Sequence, residues 1–140
     1  MIDVINLQRK VKIDTAIFRA FVKKLAAAVP EANSRTFSVA FVSDDRMKEL
    51  NTLFRDKDAT TDVLSFPHEA DEFVNADFLG DIVISAEQAQ RQAAENGLSL
   101  EGEIKQLILH GLLHLCGYDH ETDNGEMNVR ELKMRDKLGI

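Results

Sequence analysis

The chain has 140 residues, 44% hydrophobic and 29% charged, with a net charge of −7. This is enough for one domain with its own core, and residues 1–140 read as a single unit. The acid excess argues against a general nucleic-acid coat, no run of ~18 apolar residues offers a membrane span, and a lone cysteine excludes an internal disulfide. The first residues lack the basic start and apolar stretch of a signal peptide, so cytoplasm is the expected compartment. Charge is uneven: residues 1–30 carry six Lys/Arg and two acids, while residues 61–100 carry one Arg and eight acids. The basic group of Arg9, Lys10, Lys12, Arg19, Lys23 and Lys24 reads as a solvated surface or as a local phosphate contact.

Residues 2–7 alternate weakly and predict a first strand. Asp14 is placed to cap a helix running to Val29, with Ile17, Phe18, Phe21, Val22, Leu25 and Val29 on its buried face. Residues 36–42 are rich in β-formers and predict a second strand, parallel to the first because a helix separates them. Ser43, Asp44 and Asp45 open a helix to about Phe54, with Met47, Leu50, Leu53 and Phe54 expected to face inward. A charged loop, Arg55-Asp56-Lys57-Asp58, leads to a third strand over 61–66, ended by Pro67. Residues 68–78 form an acidic loop bordering the expected cleft, and His68 reads as an exposed loop residue. A fourth strand over 79–84 follows, antiparallel to the third. Ser85 with Gln88 has capping-box spacing for a helix that Asn96-Gly97 ends. Ser99 caps a helix over 99–116, with Glu101 and Glu103 suitably acidic in its first turn. Asp123 and Glu126 have N-cap spacing for a last helix to Leu138. The order is βαβαββααα, an α+β fold with a four-stranded mixed sheet and about five helices.

Three of the four histidines lie in one stretch, His110-Gly111-Leu112-Leu113-His114-Leu115-Cys116-Gly117-Tyr118-Asp119-His120. In a helix, His110 and His114 stand one turn apart on the same face. Gly117 tolerates the left-handed conformation that ends helices, so the chain can turn back and bring His120 to the other two rings. Three imidazoles with an open position are a catalytic zinc arrangement, although copper, iron and nickel also accept histidine. His110, His114 and His120 are the candidate ligands. Cys116 lies about 200° around the helix from His114 and reads as a small buried residue. Asp119 is placed either to orient an imidazole or to hold the loop. Tyr118 is expected to pack beneath that loop.

The eleven-residue stretch resembles the signature of the YbeY family of metal-dependent endoribonucleases. Thr61-Asp62-Val63-Leu64-Ser65-Phe66-Pro67 and Leu79-Gly80-Asp81-Ile82 agree with the same family in order and separation. Thr60 departs from it, standing where proline is frequent. The resemblance implies cleavage of single-stranded RNA in ribosomal RNA processing, including 3′-end maturation of 16S ribosomal RNA and ribosome quality control. It also implies the ribosomal small subunit and an Era-type GTPase as partners. In the family, an arginine matching Arg55 is associated with catalysis, so Arg55 and His114 are the candidate catalytic residues. The local alternative for Arg55 is a surface pair with Asp56 or Asp58. Thr61, Asp62 and Ser65 either line the cleft or serve structure.

His-x3-His spacing also occurs in zinc peptidases, where the second position of His-Glu-x-x-His is the general base. Here that position is Gly111. Phosphodiester cleavage tolerates the loss better, because a bound metal can acidify water while an arginine stabilises developing charge. Two other readings remain at this level. One is a zinc-dependent peptidase-like hydrolase. The other is a non-catalytic, ribosome-associated metal-binding factor.

Overall fold

A computed structural model describes residues 4–68 and 77–140. Among these, four strands form one sheet: β1 (Val4–Asn6), β2 (Thr36–Val42), β3 (Val63–Pro67) and β4 (Phe78–Ser85). Five α-helices accompany it: α1 (Thr15–Ala28), α2 (Asp44–Arg55), α3 (Ala86–Asn96), α4 (Leu100–Leu115) and α5 (Glu126–Leu138). The strand order is β1-β2-β4-β3, with β1-β2 and β2-β4 parallel and β3-β4 antiparallel. This is the expected mixed α+β sheet, and β3 lies at its edge. Residues 69–76, most of the expected acidic loop, fall outside the described residues, as do the first residues of the expected first strand.

The helix starts follow the capping chemistry read from the chain. Asp14 accepts the Ala16 amide, Ser43 that of Arg46, Ser85 that of Gln88 and Ser99 that of Gly102. Each bond satisfies a backbone donor that the first turn leaves unpaired. α5 is different. Its N-cap is Gly125, and the carboxylate of Asp123 accepts from the amides of Gly125 and Met127.

The main core fills the space between the sheet and α1, α3, α4 and α5. Phe18, Phe21, Val22 and Leu25 of α1 pack there with Ile82 and Ile84 of β4 and Ile104, Ile108 and Leu112 of α4. A smaller cluster lies under α2, where Met47 meets Val42 and Leu64. Period-two alternation divides the strands between the two: Ile82 and Ile84 belong to the first, Val83 and Leu64 to the second. Three residues expected to face inward do not. Ile17 is exposed at the rim of the α1 face. Leu53 and Phe54 are 74% and 59% exposed, whereas Leu50, partly buried, packs against the small cluster as expected. Phe54 lies seven residues after Met47 and shares its side of the helix, but the last turn of α2 reaches the sheet edge, where little remains to cover it. Pro67 also belongs to β3 and pairs with Gly80, rather than standing beyond the strand. An edge strand tolerates proline because its outer side donates nothing to the ladder.

Gly80 fixes how tightly β3, β4 and α4 close. Its φ is +145°, and a Cβ there would stand 2.3 Å from the Phe66 carbonyl oxygen and 2.9 Å from Leu115. No rotamer of a larger residue relieves a backbone contact of that kind. Gly80→Ala should therefore lower stability by about 2–4 kcal/mol, read as a lower urea midpoint at unchanged slope.

Candidate metal centre

α4 is apolar on nearly every side because it crosses the sheet beneath α5. Leu107, Ile108, Leu109, Leu112 and Leu113 are all buried. Gly111 is the point of closest approach. A Cβ on it would lie 2.9–3.1 Å from three side-chain carbons of Ile82, which is itself fully buried. The Gly111 carbonyl also accepts the Ser65 hydroxyl of β3 at 3.3 Å. His110 and His114 flank this contact and emerge at the β3 edge. The helix then stops at Cys116, and Gly117 turns the chain with φ +106°. That turn returns His120 to the first two rings.

The three imidazoles form a nearly equilateral group, with ring centroids 5.1, 5.3 and 5.0 Å apart. One ligand atom from each lies within 4.8 Å of the others. Nε2 of His114 and Nδ1 of His120 are 3.0 Å apart. A tetrahedral zinc site with bonds of ~2.05 Å separates its nitrogens by about 3.3 Å, so the donor set fits such an ion. Burial pushes the His114 pKa down, and the neighbouring His110 and His120 push it the same way. A neutral ring is the form that coordinates a metal. Cys116 takes no part in the group. It is half-buried against the core, and burial raises its thiol pKa.

His110, the first of the three, is held from behind. His110 Nδ1 lies 2.6 Å from Oε1 of Glu131 on α5, and Arg135 donates to the other carboxylate oxygen. Burial alone would raise the Glu131 carboxyl, but the His110 hydrogen bond and the charges of His110 and Arg135 outweigh it and leave it below its usual value. An ionised carboxylate accepts, so Nδ1 carries the proton and Nε2 is left for the cluster. Sequence reasoning missed Glu131. The signal was present: Met127, Glu131 and Met134 form the buried stripe of α5, with one acid among apolar neighbours.

The loop between Gly117 and His120 is tied to the other end of the domain. The Tyr118 hydroxyl donates to Glu31 at 2.9 Å, and Arg130 donates to both oxygens of the same carboxylate at 2.7 and 2.8 Å. Tyr118 thus packs beneath the loop as expected, with its hydroxyl directed away from the rings. Asp119 holds the loop: its carboxylate accepts the Glu121 amide at 3.0 Å and its carbonyl the Asp123 amide at 3.0 Å.

A cleft of about 860 Å³ opens over the histidines along the outer side of β3. Thr61, Asp62 and Ser65 line it, as do Arg55 and Lys57 from the end of α2. Arg55 pairs with Glu121 at 2.8 Å, across the cleft, rather than with Asp56 or Asp58. Arg9, Lys10, Lys12, Arg19, Lys23 and Lys24 line none of it. Arg19 instead donates to the Val4 carbonyl and Lys10 lies 3.9 Å from Glu87. His68 is exposed and stacks edge-on against Phe78, apart from the cluster. Thr60 donates to Asp44, a bond that proline would not supply.

The family model described as Endoribonuclease YbeY matches residues 3–139. The chain belongs to the YbeY endoribonuclease family. It is 50% identical over 106 residues to Endoribonuclease YbeY of Nautilia profundicola, covering 76% of this chain and 74% of that one. It is 41% identical over 135 residues to the Endoribonuclease YbeY of Syntrophus aciditrophicus, covering 95% and 84%. A Thermotoga maritima protein of known solution structure superposes with a TM-score of 0.63 at 32% identity, over 95% of this chain and 85% of that one. The family match extends over every element that builds the cleft.

The Glu31 tie gives a pH-dependent test of how the loop is held. The Arg130 hydrogen bonds hold the Glu31 carboxyl down to about 2. A depressed folded pKa contributes stability that is present above the ordinary carboxylate range and lost as pH falls toward that value. Glu31→Gln should cost about 1–3 kcal/mol at pH 7, and the difference from wild type should shrink as pH is lowered towards 3. Urea unfolding at both pH values measures it; a difference that stays constant would exclude an ionised Glu31 as the tie.

Proposed function

We propose that His110, His114 and His120 hold one divalent metal ion, zinc first among the transition metals, in an endoribonuclease that cleaves single-stranded RNA during ribosomal RNA processing. The observation that carries this reading is the convergence of three imidazoles, one buttressed by a buried carboxylate, in a cleft that also presents Arg55. A bound ion of this kind supplies Lewis acidity, acidifying water and withdrawing charge from a phosphoryl oxygen. The residues supply the rest. Glu131 fixes the tautomer and tilt of His110. The Gly117 turn and the Tyr118–Glu31 bond set the position of His120. Arg55 brings a rigid guanidinium that matches the non-bridging oxygens of a phosphate. Its partner Glu121 is exposed, and exposed pairs of this kind contribute only ~0–1 kcal/mol, so an incoming phosphate can take the guanidinium at little cost.

A peptidase reading meets a packing obstacle. The position that would hold the general base is Gly111, pressed against Ile82, and a glutamate side chain has no room there. The non-catalytic alternative differs by predicting RNA binding without turnover. The substrate is proposed as small-subunit ribosomal RNA, with 3′-end maturation of 16S ribosomal RNA and ribosome quality control as its setting. The small subunit and an Era-type GTPase are proposed as partners, and the cytoplasm as the compartment. These rest on the family. No described helix is long and apolar enough to cross a membrane.

Three substitutions test the assignment. His114→Ala should abolish RNA cleavage, and restoring metal after chelation should rescue wild type but not the variant. Arg55→Ala should lower kcat by about 10²–10³-fold with metal content and urea midpoint unchanged. Glu131→Gln should weaken metal binding by about 10–100-fold, measured by competition with a chromophoric chelator. Unchanged cleavage in the Arg55 variant would remove that residue from the mechanism.

A further inference from the structure

Phe54 is the only exposed phenylalanine among the described residues. It lies on the cleft wall immediately before Arg55, in the same cavity as His110, His114 and His120. Its ring rests edge-to-face on Phe66 of β3, with centroids 5.1 Å apart and planes at 73°. Phe66 is half-buried and belongs to the small core under α2, so the outer ring is braced on fixed structure rather than hanging free. More than half of Phe54 still faces solvent, at 59%. A rigid aromatic wall bordered by Arg55 and Lys57 combines the two features that hold unpaired nucleic acid. Cationic groups take the phosphates, and an aromatic face takes a base.

We propose that Phe54 is a stacking platform for one unpaired nucleobase, seated beside the phosphate that Arg55 contacts. This deepens the endoribonuclease reading and rests on it. A base inside a duplex has both faces covered by its neighbours, so it cannot lie on this ring without being pulled from the stack. The platform therefore gives the site a preference for single strands. It does so without any hydrogen bond to a base edge, so it favours no particular sequence. The neighbouring Leu53 is more exposed still, at 74%, but does not line the cleft.

The chain contains no tryptophan, so Phe54→Trp places a single indole at the platform. Its emission should be quenched saturably, and before turnover, by a short oligoadenylate. The abasic oligomer of equal length should leave it unmoved, although it carries the same phosphates. In steady state, Phe54→Ala should raise KM for single-stranded RNA by about 5–100-fold, with kcat changed less than about threefold. Phe54→Tyr and Phe54→Trp should restore KM. Four results would overturn the proposal: a KM within twofold of wild type in the alanine variant, a loss confined to kcat or to folding stability, an indole that does not respond to oligoadenylate, or equal quenching by the abasic oligomer. Failure of the nuclease reading looks different. Wild type would then cleave no RNA whatever its metal content, while the indole would still report whether a base stacks.

Discussion

The contact between Gly111 and Ile82 sets the height of α4 above the sheet, and the whole site depends on that height. A helix with a larger residue there would ride outward, because Ile82 is fully buried and has nowhere to move. His110 and His114 would move with it, out of register with the β3 edge and with the carboxylate of Glu131. The same glycine removes the side chain on which peptide hydrolysis would depend. One packing constraint thus both positions two imidazoles and closes off a neighbouring chemistry.

Around that contact, the site is assembled from groups supplied by several elements. α4 contributes two rings, the following turn contributes the third, and α5 contributes the carboxylate behind the first. Glu31, from a 3₁₀ turn after α1, secures the loop through Tyr118. Each support is a hydrogen bond to a charged group, the stronger kind. Support by bonds of this sort keeps the rings near one another despite their mutual repulsion if protonated. The cationic side of the cleft comes from a different wall, the end of α2, so Arg55 and the rings are positioned by separate elements.

Much of this was legible in the chain. Local rules reach local structure: Asp14, Ser43, Ser85 and Ser99 each announced a helix start, and His-x3-His with a glycine after it announced a turn that closes three rings. The parallel β1-β2 pair followed from the helix between its strands, and the antiparallel β3-β4 pair is as expected. What was not legible depends on where the sheet ends. Periodicity places Phe54 on the inner face of α2, but it cannot say that the sheet runs out beneath that turn. The same holds for Arg55, whose partner lies 66 positions away in Glu121. Glu131 is an intermediate case. Its place in an otherwise apolar stripe marked it as unusual, while its bond to His110 needed the packing of α5 on α4.

The bond between Arg130 and Glu31 spans 99 positions, so it can form only when nearly the whole chain has been made. Glu131 sits beside Arg130, on the same C-terminal helix. A ribosome makes that helix after everything else in the domain. The ring of His110 thus gains its backing only once synthesis has passed α5 and the chain has closed on itself. Until then the three histidines are all present in the chain, but the carboxylate that orients the first of them is not.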